Sequence, residues 1–362
     1  MEKDLKSKTF GELERLVVGL GEKKYLAGYI FDFVHTQGVR DVSEITPLSK
    51  SFRSKLTEQG YFISALEVVN KLIDPDGTVK YVFGLPDGGR VESVLLFDEG
   101  RKTLCVSTQV GCGMGCVFCA TGRLGLGRNL SAGEIVDQVN VIADCGLQIA
   151  DCDKIQNPKS EIRNRITNVV FMGMGEPLAN YDSVISAVRI LNHPKGKNIG
   201  IRHLTISTCG LPEAIERLAD EFRRAGTPRL AISLNAPTDA IRCRLMPIAK
   251  KYPFARLFEV IASYQRKTHN RVTIEYCSIK GVNDTVLHAR MLVKRLRGVL
   301  CNVNLIEYNP HFGCSFKPSG KEAIERFAAV LKESGLETTI RRKFGQTISA
   351  ACGQLGSVEN LE

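Results

Sequence analysis

The chain has 362 residues, 43% of them hydrophobic and 24% charged, with 49 Lys and Arg against 39 Asp and Glu for a net charge of +10. That length accommodates a substantial core and one or two domains, and the composition excludes disordered and fibrous classes. The sequence has no run of 18 apolar residues, and Met1-Glu-Lys-Asp-Leu lacks a signal peptide's apolar core. A cytoplasmic location without membrane contact is therefore expected. Twelve cysteines in a reducing compartment read as buried hydrophobes, metal ligands or reactive thiols, not as a disulfide framework. The basic excess hints at a polyanionic partner.

The first 65 residues have helical spacing. Apolar residues recur every three or four positions from Phe10 to Val18 and from Tyr25 to Val34, with Gly38 as a C-cap, and a third helix is expected near 48–58 after Thr46-Pro47. This block holds 10 basic and 9 acidic residues, so the positive charge is not stored here. From 66 to 97 the pattern becomes alternating, punctuated by Asp74-Pro-Asp-Gly77 and Pro86-Asp-Gly-Gly89, which predicts an antiparallel hairpin extension.

Beyond residue 100, β-rich runs at 103–107, 168–172, 203–207, 229–234, 272–276 and 302–308 alternate with helical stretches near 131–146, 182–192, 212–225, 254–267, 284–297 and 320–334. Ser131-Ala-Gly-Glu134 is a capping box, followed by the apolar stripe Ile135, Val139 and Ile142. Six successive βα units predict a parallel sheet or barrel with its function at the C-terminal ends of the strands. Residues 151–165 are polar and aperiodic, which predicts an exposed insertion. The resulting division is a helical domain over 1–65, a β extension over 66–97, a barrel core over 98–352 and a tail over 353–362.

The sharpest chemical signal is Cys112-Gly-Met-Gly-Cys116-Val-Phe-Cys119, just after the first barrel strand. Three thiolates within eight residues repel one another unless they are oxidised or bound to metal. A closed structural zinc site wants four ligands and no second pair stands nearby, whereas three cysteines suit a [4Fe–4S] cluster with one open iron. Phe118 either shields such a cluster or belongs to the core. Met172-Gly-Met-Gly-Glu-Pro177 follows the second strand, where glycines permit close backbone approach and Glu176 offers an acceptor for an ammonium group.

A C-x3-C-x2-C loop after the first strand of a βα barrel resembles the radical S-adenosylmethionine (SAM) enzymes. Together with Cys105, Gly175-Glu-Pro, Ser233-Leu-Asn-Ala-Pro, Tyr308-Asn-Pro310 and the Cys352-Gly-Gln-Leu segment, the chain resembles the adenine-carbon-2 RNA methyltransferases of the RlmN type. The likeness includes Gly38-Val-Arg and Leu48-Ser-Lys of the N-terminal block, which match that family's helical RNA-binding module.

The resemblance implies a partial (βα)6 radical SAM barrel, α/β in class, with a small helical domain and a short β extension. It implies a [4Fe–4S] cluster on Cys112, Cys116 and Cys119, and two SAM molecules per turnover. One SAM methylates Cys352; the other, reductively cleaved, yields an adenosyl radical that abstracts hydrogen from the methyl group. The carbon radical adds to adenine, and Cys105 resolves the adduct through a transient disulfide with Cys352. A direct methyl transfer would fail, since carbon 2 is weakly nucleophilic and its C–H is not acidic. The resemblance assigns Gly175, Glu176, Ser207, Ser233, Leu234, Asn235 and Asn309 to SAM. The family usually has His where Asn235 stands, which leaves the backbone role. Glu92 aligns with a proton acceptor, although Cys105 is an alternative.

Substrates implied are 23S ribosomal RNA and transfer RNA, served by an electron donor such as flavodoxin or ferredoxin, in a monomer. Residues 217–256 hold 9 basic and 3 acidic residues, and with Arg189, Lys195, Lys197, Arg202 and Arg341-Arg-Lys343 they predict an RNA-facing rim. The rivals are the carbon-8 methyltransferase of the Cfr type and a non-catalytic, zinc-stabilised RNA-binding protein.

Overall fold

The computed structural model describes residues 3–98, 100–144, 165–223 and 226–356. Most of the 151–165 insertion therefore lies outside the described residues. The N-terminal helices are α1 (Phe10–Gly19), α2 (Leu26–His35) and α3 (Lys50–Glu58). Glu12 accepts from the Thr9 amide at 2.8 Å and Ser49 Oγ from Phe52 N, so both helices begin where a side chain satisfies an orphan donor. Leu13, Val17, Ile30, Phe31, Val34, Phe52 and Leu56 form the buried stripe. Gly38 is not the C-cap of α2. The helix ends at Thr36, and Gly38 turns the chain three residues after its last helical residue with φ +70°.

Strands β1 (Glu67–Ile73), β2 (Val79–Gly84) and β3 (Arg90–Asp98) form an antiparallel meander whose last strand pairs with β4 (Arg101–Cys105). From β4 onward the sheet is parallel, continuing through β7 (Asn168–Phe171), β8 (Leu204–Thr208), β9 (Arg229–Ser233), β10 (Val272–Ser278), β11 (Cys301–Glu307) and β12 (Thr338–Ile340). A separate hairpin, β5 (Gln109–Cys112) with β6 (Gly125–Asn129), brackets the short helix α4 (Ala120–Arg123). The layer outside the sheet is α5 (Ala132–Asp144), α6 (Tyr181–Asn192), α7 (Pro212–Glu221), α8 (Asp239–Leu245), α9 (Phe254–Thr268), α10 (Val286–Leu296) and α11 (Lys321–Glu333). The ten-stranded sheet runs β1-β2-β3-β4-β7-β8-β9-β10-β11-β12 as an open series, a partial barrel.

The expected strands and helices are all present, and among the described residues five further strands and α-helices stand outside the sequence expectation. β12 has only three residues, too few to show alternation. The β5–β6 pair and α4 are made of Gly-rich chain around the cysteine loop, where glycine masks periodicity. α8 is hidden by the basic residues on both its faces. The capping box at α5 is present as expected: Ser131 Oγ accepts from Glu134 N at 3.1 Å and Glu134 accepts from Ser131 N at 2.8 Å, with Ile135, Val139 and Ile142 buried.

Strand periodicity sets what the barrel contains. Leu204, Ile206, Leu230, Ile232, Val272, Ile274, Val303 and Leu305 are buried among helix residues such as Val188, Leu218, Val260, Leu292 and Phe327. The intervening Thr205, Ser207, Thr273, Glu275, Asn302 and Asn304 line a cavity instead. With a period of two, apolar residues face out to the helices and polar residues face in. The apolar core is therefore the sheet–helix layer, and the barrel axis is left polar and hollow.

The helical block is fastened to α5 by polar contacts. Lys6 Nζ meets Asp137 at 2.6 Å with both side chains about 4% exposed, and Asp137 also accepts from Leu66 N. Ser7 Oγ accepts from Gly133 N, the amide of a residue whose missing Cβ would lie 2.4 Å from Asp4.

Candidate active site

A cavity of about 1050 Å³ runs along the inside of the parallel sheet. Cys105, Cys112, Cys116, Cys119, Gly175, Glu176, Ser207, Ser233, Asn235, Asn309 and Cys352 all line it. Leu234 does not: its side chain is buried in the core and its amide donates to Glu275 O. Glu92 does not either. It lies fully buried on β3, ion-paired to Lys80 at 3.3 Å, and its Oε2 accepts from Gly356 N at 2.7 Å.

The cysteine loop leaves the end of β5 and enters α4. Gly111 has φ +72°, and a Cβ there would fall 1.9 Å from Gly125 O, so only glycine closes this hairpin. Desolvation pushes the Cys112 thiol up to about 12, and neighbouring thiols add to the rise at Cys112 and Cys116. Cys119 is raised by burial too. An apolar site that opposes isolated thiolates, yet gathers three thiols within electrostatic reach, is paid back only when a cation replaces the protons. The donor set thus fits an iron–sulfur cluster: three soft ligands on one wall, with the remaining side open to the cavity. Among the described residues, no group of three His, Cys, Asp or Glu side chains is arranged to hold a single metal ion. Phe118 packs with Met114 and Cys116 against a buried group that includes Leu245, Met246 and Tyr308.

Gly175 has φ +104°, and a Cβ would meet Gln109 Cβ at 2.6 Å. That close approach lets Gln109 Oε1 accept from Glu176 N at 2.8 Å. The Glu176 carboxylate in turn accepts from Leu178 N at 3.0 Å and Cys209 N at 2.7 Å, which holds it still, while burial raises its pKa. The Asn235 side chain is committed inside the protein, accepting from Cys277 N at 2.9 Å, in a left-handed backbone with φ +58°. Its side chain is thus spent on structure, as the departure from His at this position suggested.

Cys352 reaches the cavity on a clasped loop. Asn309 Nδ2 donates to Cys352 O at 3.1 Å, Ala120 N to Gly353 O, Thr121 Oγ1 to Leu355 O and Gln354 Nε2 to Pro310 O. Asp74 and Asp76 of the β1–β2 turn accept from Thr347 and Gly345, so the antiparallel extension holds the base of this loop. Desolvation in the cavity raises both thiols, Cys105 on a half-buried residue up to about 12 and Cys352 on a residue exposed at its surface. Glu275 raises both thiols further, Cys352 also raises Cys105, and Arg341 lowers both. The two thiols therefore share one environment although 247 positions separate them along the chain.

Sequence reasoning missed Gln109, Glu275 and the Cys209 amide as site components, and placed Arg341 on an RNA-facing rim without its closeness to the two thiols. None carries a motif; only their inward positions on the sheet and adjoining loops single them out. The basic run also divides differently from expectation. Arg217, Arg223 and Arg256 pair with Asp182, Asp220 and Glu216 on the helix layer, and Arg242 is buried against Cys209 O. Arg202, Arg229, Arg341, Arg342 and Lys343 line the cavity. No described helix is long and apolar enough to cross a membrane.

Residues 153–292 match the radical SAM superfamily, and residues 3–61 match the ribosomal RNA large subunit methyltransferase N-terminal domain. A dual-specificity RNA methyltransferase RlmN of Syntrophobacter fumaroxidans is 44% identical over 97% of both chains. A probable dual-specificity RNA methyltransferase RlmN of Thermotoga neapolitana is 44% identical over 98% of this chain and 97% of its own. Among solved structures, a radical SAM methyltransferase from Sphaerobacter thermophilus superposes with a TM-score of 0.85 at 41% identity, over 97% of this chain and 98% of that one.

Proposed function

The chain belongs to the RlmN family of radical SAM methyltransferases, and from that premise we propose that it methylates carbon 2 of adenosine in 23S ribosomal RNA and in transfer RNA. The observation that carries the two-cysteine methyl transfer is the convergence of Cys105 and Cys352 on the cavity lined by Cys112, Cys116 and Cys119, and the 44% identity to a dual-specificity RNA methyltransferase RlmN favours carbon 2 over carbon 8. Those three cysteines would hold the [4Fe–4S] cluster, with Gly175, Glu176, Ser207, Ser233, Asn309 and the backbone at Leu234 and Asn235 around SAM. When bound, the cluster and SAM supply a methyl group and the one-electron chemistry that an inert aromatic C–H demands.

The chain's own residues do the rest. Cys352 carries the one-carbon unit on its sulfur and delivers it to the base. Cys105 then attacks that sulfur: an S–S bond forms as the S–C bond breaks, and the electron pair stays on the methylene carbon, which takes up a proton to become the methyl group of the adenine. Both thiols need activation, since the cavity keeps them protonated at neutral pH, and Arg341 is the cation placed to favour their ionised forms. The β extension and the loop around Cys352 keep the sulfur at the mouth. Glu92, in the clasp beneath that loop, serves as proton acceptor once the Gly356 contact opens; otherwise Cys105 takes that role.

The reading further comprises two SAM molecules per turnover, a flavodoxin- or ferredoxin-type donor, a monomer in a reducing cytoplasm, and the division at residues 65, 97 and 352. Arg202, Arg229 and Arg341 offer the positive lining that phosphates require, whereas Lys343 and Arg342 are paired with Glu307 and Asp98. The test is nucleoside mass spectrometry after anaerobic reaction of the cluster-loaded enzyme with ribosomal and transfer RNA. 2-Methyladenosine is expected, and Cys352→Ala should abolish it while retaining iron. Methyl on carbon 8 alone, or a protein holding zinc and no iron, overturns the proposal.

A further inference from the structure

Among the described carboxylates that line the cavity, Glu275 is the buried one to which neither motif nor resemblance attaches a role, Asp98, Glu307 and Glu337 being more exposed. It sits on β10 with only 5% of its surface exposed. Its Oε2 accepts from Ser207 Oγ of β8 at 2.8 Å, over the single intervening strand β9. Its backbone carbonyl takes the amides of Leu234 and Asn235 at 3.0 and 3.3 Å, fixing the residue from behind. Oε1, by contrast, is buried and has no hydrogen-bond partner among the described residues.

An unpaired buried carboxylate oxygen is costly, and an ionised carboxylate is an acceptor only, so Oε1 calls for a donor from a ligand. A sulfonium carries no proton on sulfur and cannot supply one. Glu176, beside the cysteine loop, is the carboxylate set against SAM's ammonium in the function proposed above, each of its oxygens keeping acceptor capacity beyond the one backbone amide it takes. What the Glu275 position offers is an acceptor at Oε1 beside a hydroxyl at Ser207, a pair of polar groups matched to two adjacent hydroxyls. Carboxylates recur as partners of ribose hydroxyls in nucleotide sites for that reason.

We propose that Glu275 is a binding residue for a nucleoside ribose, accepting a hydrogen bond from its hydroxyl at Oε1 while Ser207 holds the other oxygen. This rests on the function proposed above, which brings two riboses to the cavity: that of SAM and that of the target adenosine.

The test is a ligand-by-mutant cycle on cluster-loaded protein, read as dissociation constants without turnover. One arm uses S-adenosylhomocysteine against its 2′,3′-dideoxy form. The other uses an RNA stem-loop carrying the target adenosine against the same RNA with a single 2′-deoxyadenosine. Wild type should lose about tenfold to a hundredfold in affinity for the deoxy ligand in one arm, and that arm names the ribose. Glu275→Ala should bind both members of that pair equally weakly. Glu275→Gln, which keeps an acceptor and the Ser207 contact, should discriminate partially, and Ser207→Ala should still discriminate. Iron content and circular dichroism establish that the variants are folded. Discrimination by Glu275→Ala equal to wild type in both arms overturns the assignment alone. Failure of wild type to bind either parent ligand overturns the assignment together with the function it rests on.

Discussion

Replacing Lys80 with Met would leave Glu92 buried and unpaired beneath the loop that carries Cys352. Both side chains have no exposed surface and stand 3.3 Å apart. At an effective dielectric constant of 20 their attraction is about 5 kcal/mol, and breaking such a pair typically costs about 3–5 kcal/mol. Protonation of Glu92 limits the cost. Starting from an ordinary carboxyl value of 4.5, neutralising it at pH 7 takes about 3.4 kcal/mol, at about 1.4 kcal/mol per unit. Burial raises Glu92 in the native protein and lowers Lys80, so desolvation outweighs the mutual attraction for both partners.

The sign of the pH dependence follows. A carboxyl whose folded pKa is raised is most stable in its protonated form, so the deficit of Lys80→Met relative to wild type grows as pH rises past the already raised value of Glu92 in the native pair. The expected loss is at most about 3.4 kcal/mol at pH 7 and about 0.7 kcal/mol at pH 5. Urea denaturation at the two pH values measures it, and hydrogen exchange should find the faster opening concentrated in the clasp at 345–356. Adding Glu92→Gln should restore most of the stability, because a neutral amide keeps an acceptor for Gly356 N. An equal deficit at both pH values, or a double variant no better than the single one, would refute the clasp.

Gly175→Ala forces a Cβ to within 2.6 Å of Gln109 and breaks the support of Glu176; SAM affinity measured by equilibrium dialysis should fall by about tenfold or more. Cys116→Ala should retain helix and sheet content by circular dichroism yet lose cluster iron by at least about tenfold on reconstitution, since two thiolates hold a cluster poorly. His35 is buried with neither ring nitrogen hydrogen-bonded among the described residues, and burial with nearby Lys6, Lys197 and His193 lowers its pKa to about 3. Because the folded value lies below 6.5, its contribution is complete above that pH and lost as pH falls. Wild type should therefore lose about 1.4 kcal/mol per pH unit between 6 and 4 relative to His35→Leu, and parallel stability curves for the two would contradict this.

Much of the molecule is written in local pattern. Helical period and capping residues locate α1, α5 and α7, and alternation locates the six longer parallel strands, because both signals arise from which side of an element meets the apolar layer. The cysteine loop is legible for a different reason: its three ligands lie within one turn of chain, so their spacing is already their geometry. The pairing of Cys105 with Cys352 is visible only through resemblance, since nothing local links residues 247 positions apart.

Tertiary structure alone decides the rest. Thr205, Ser207, Thr273, Glu275 and Asn304 look like ordinary solvent-facing strand positions, yet sheet curvature turns that face inward and makes it the wall of a cavity. Glu92 has the alternating context of a strand residue, and the packing of β2 and the C-terminal loop places it in a buried clasp with Lys80. The +10 balance shows the same limit. Sequence counts the charges, but only the fold sends Arg217, Arg223 and Arg256 to surface ion pairs, Arg242 into the core, and Arg202, Arg229 and Arg341 to the cavity. Composition is a property of the chain, whereas a charge acts through its neighbours, and those are set by long-range packing.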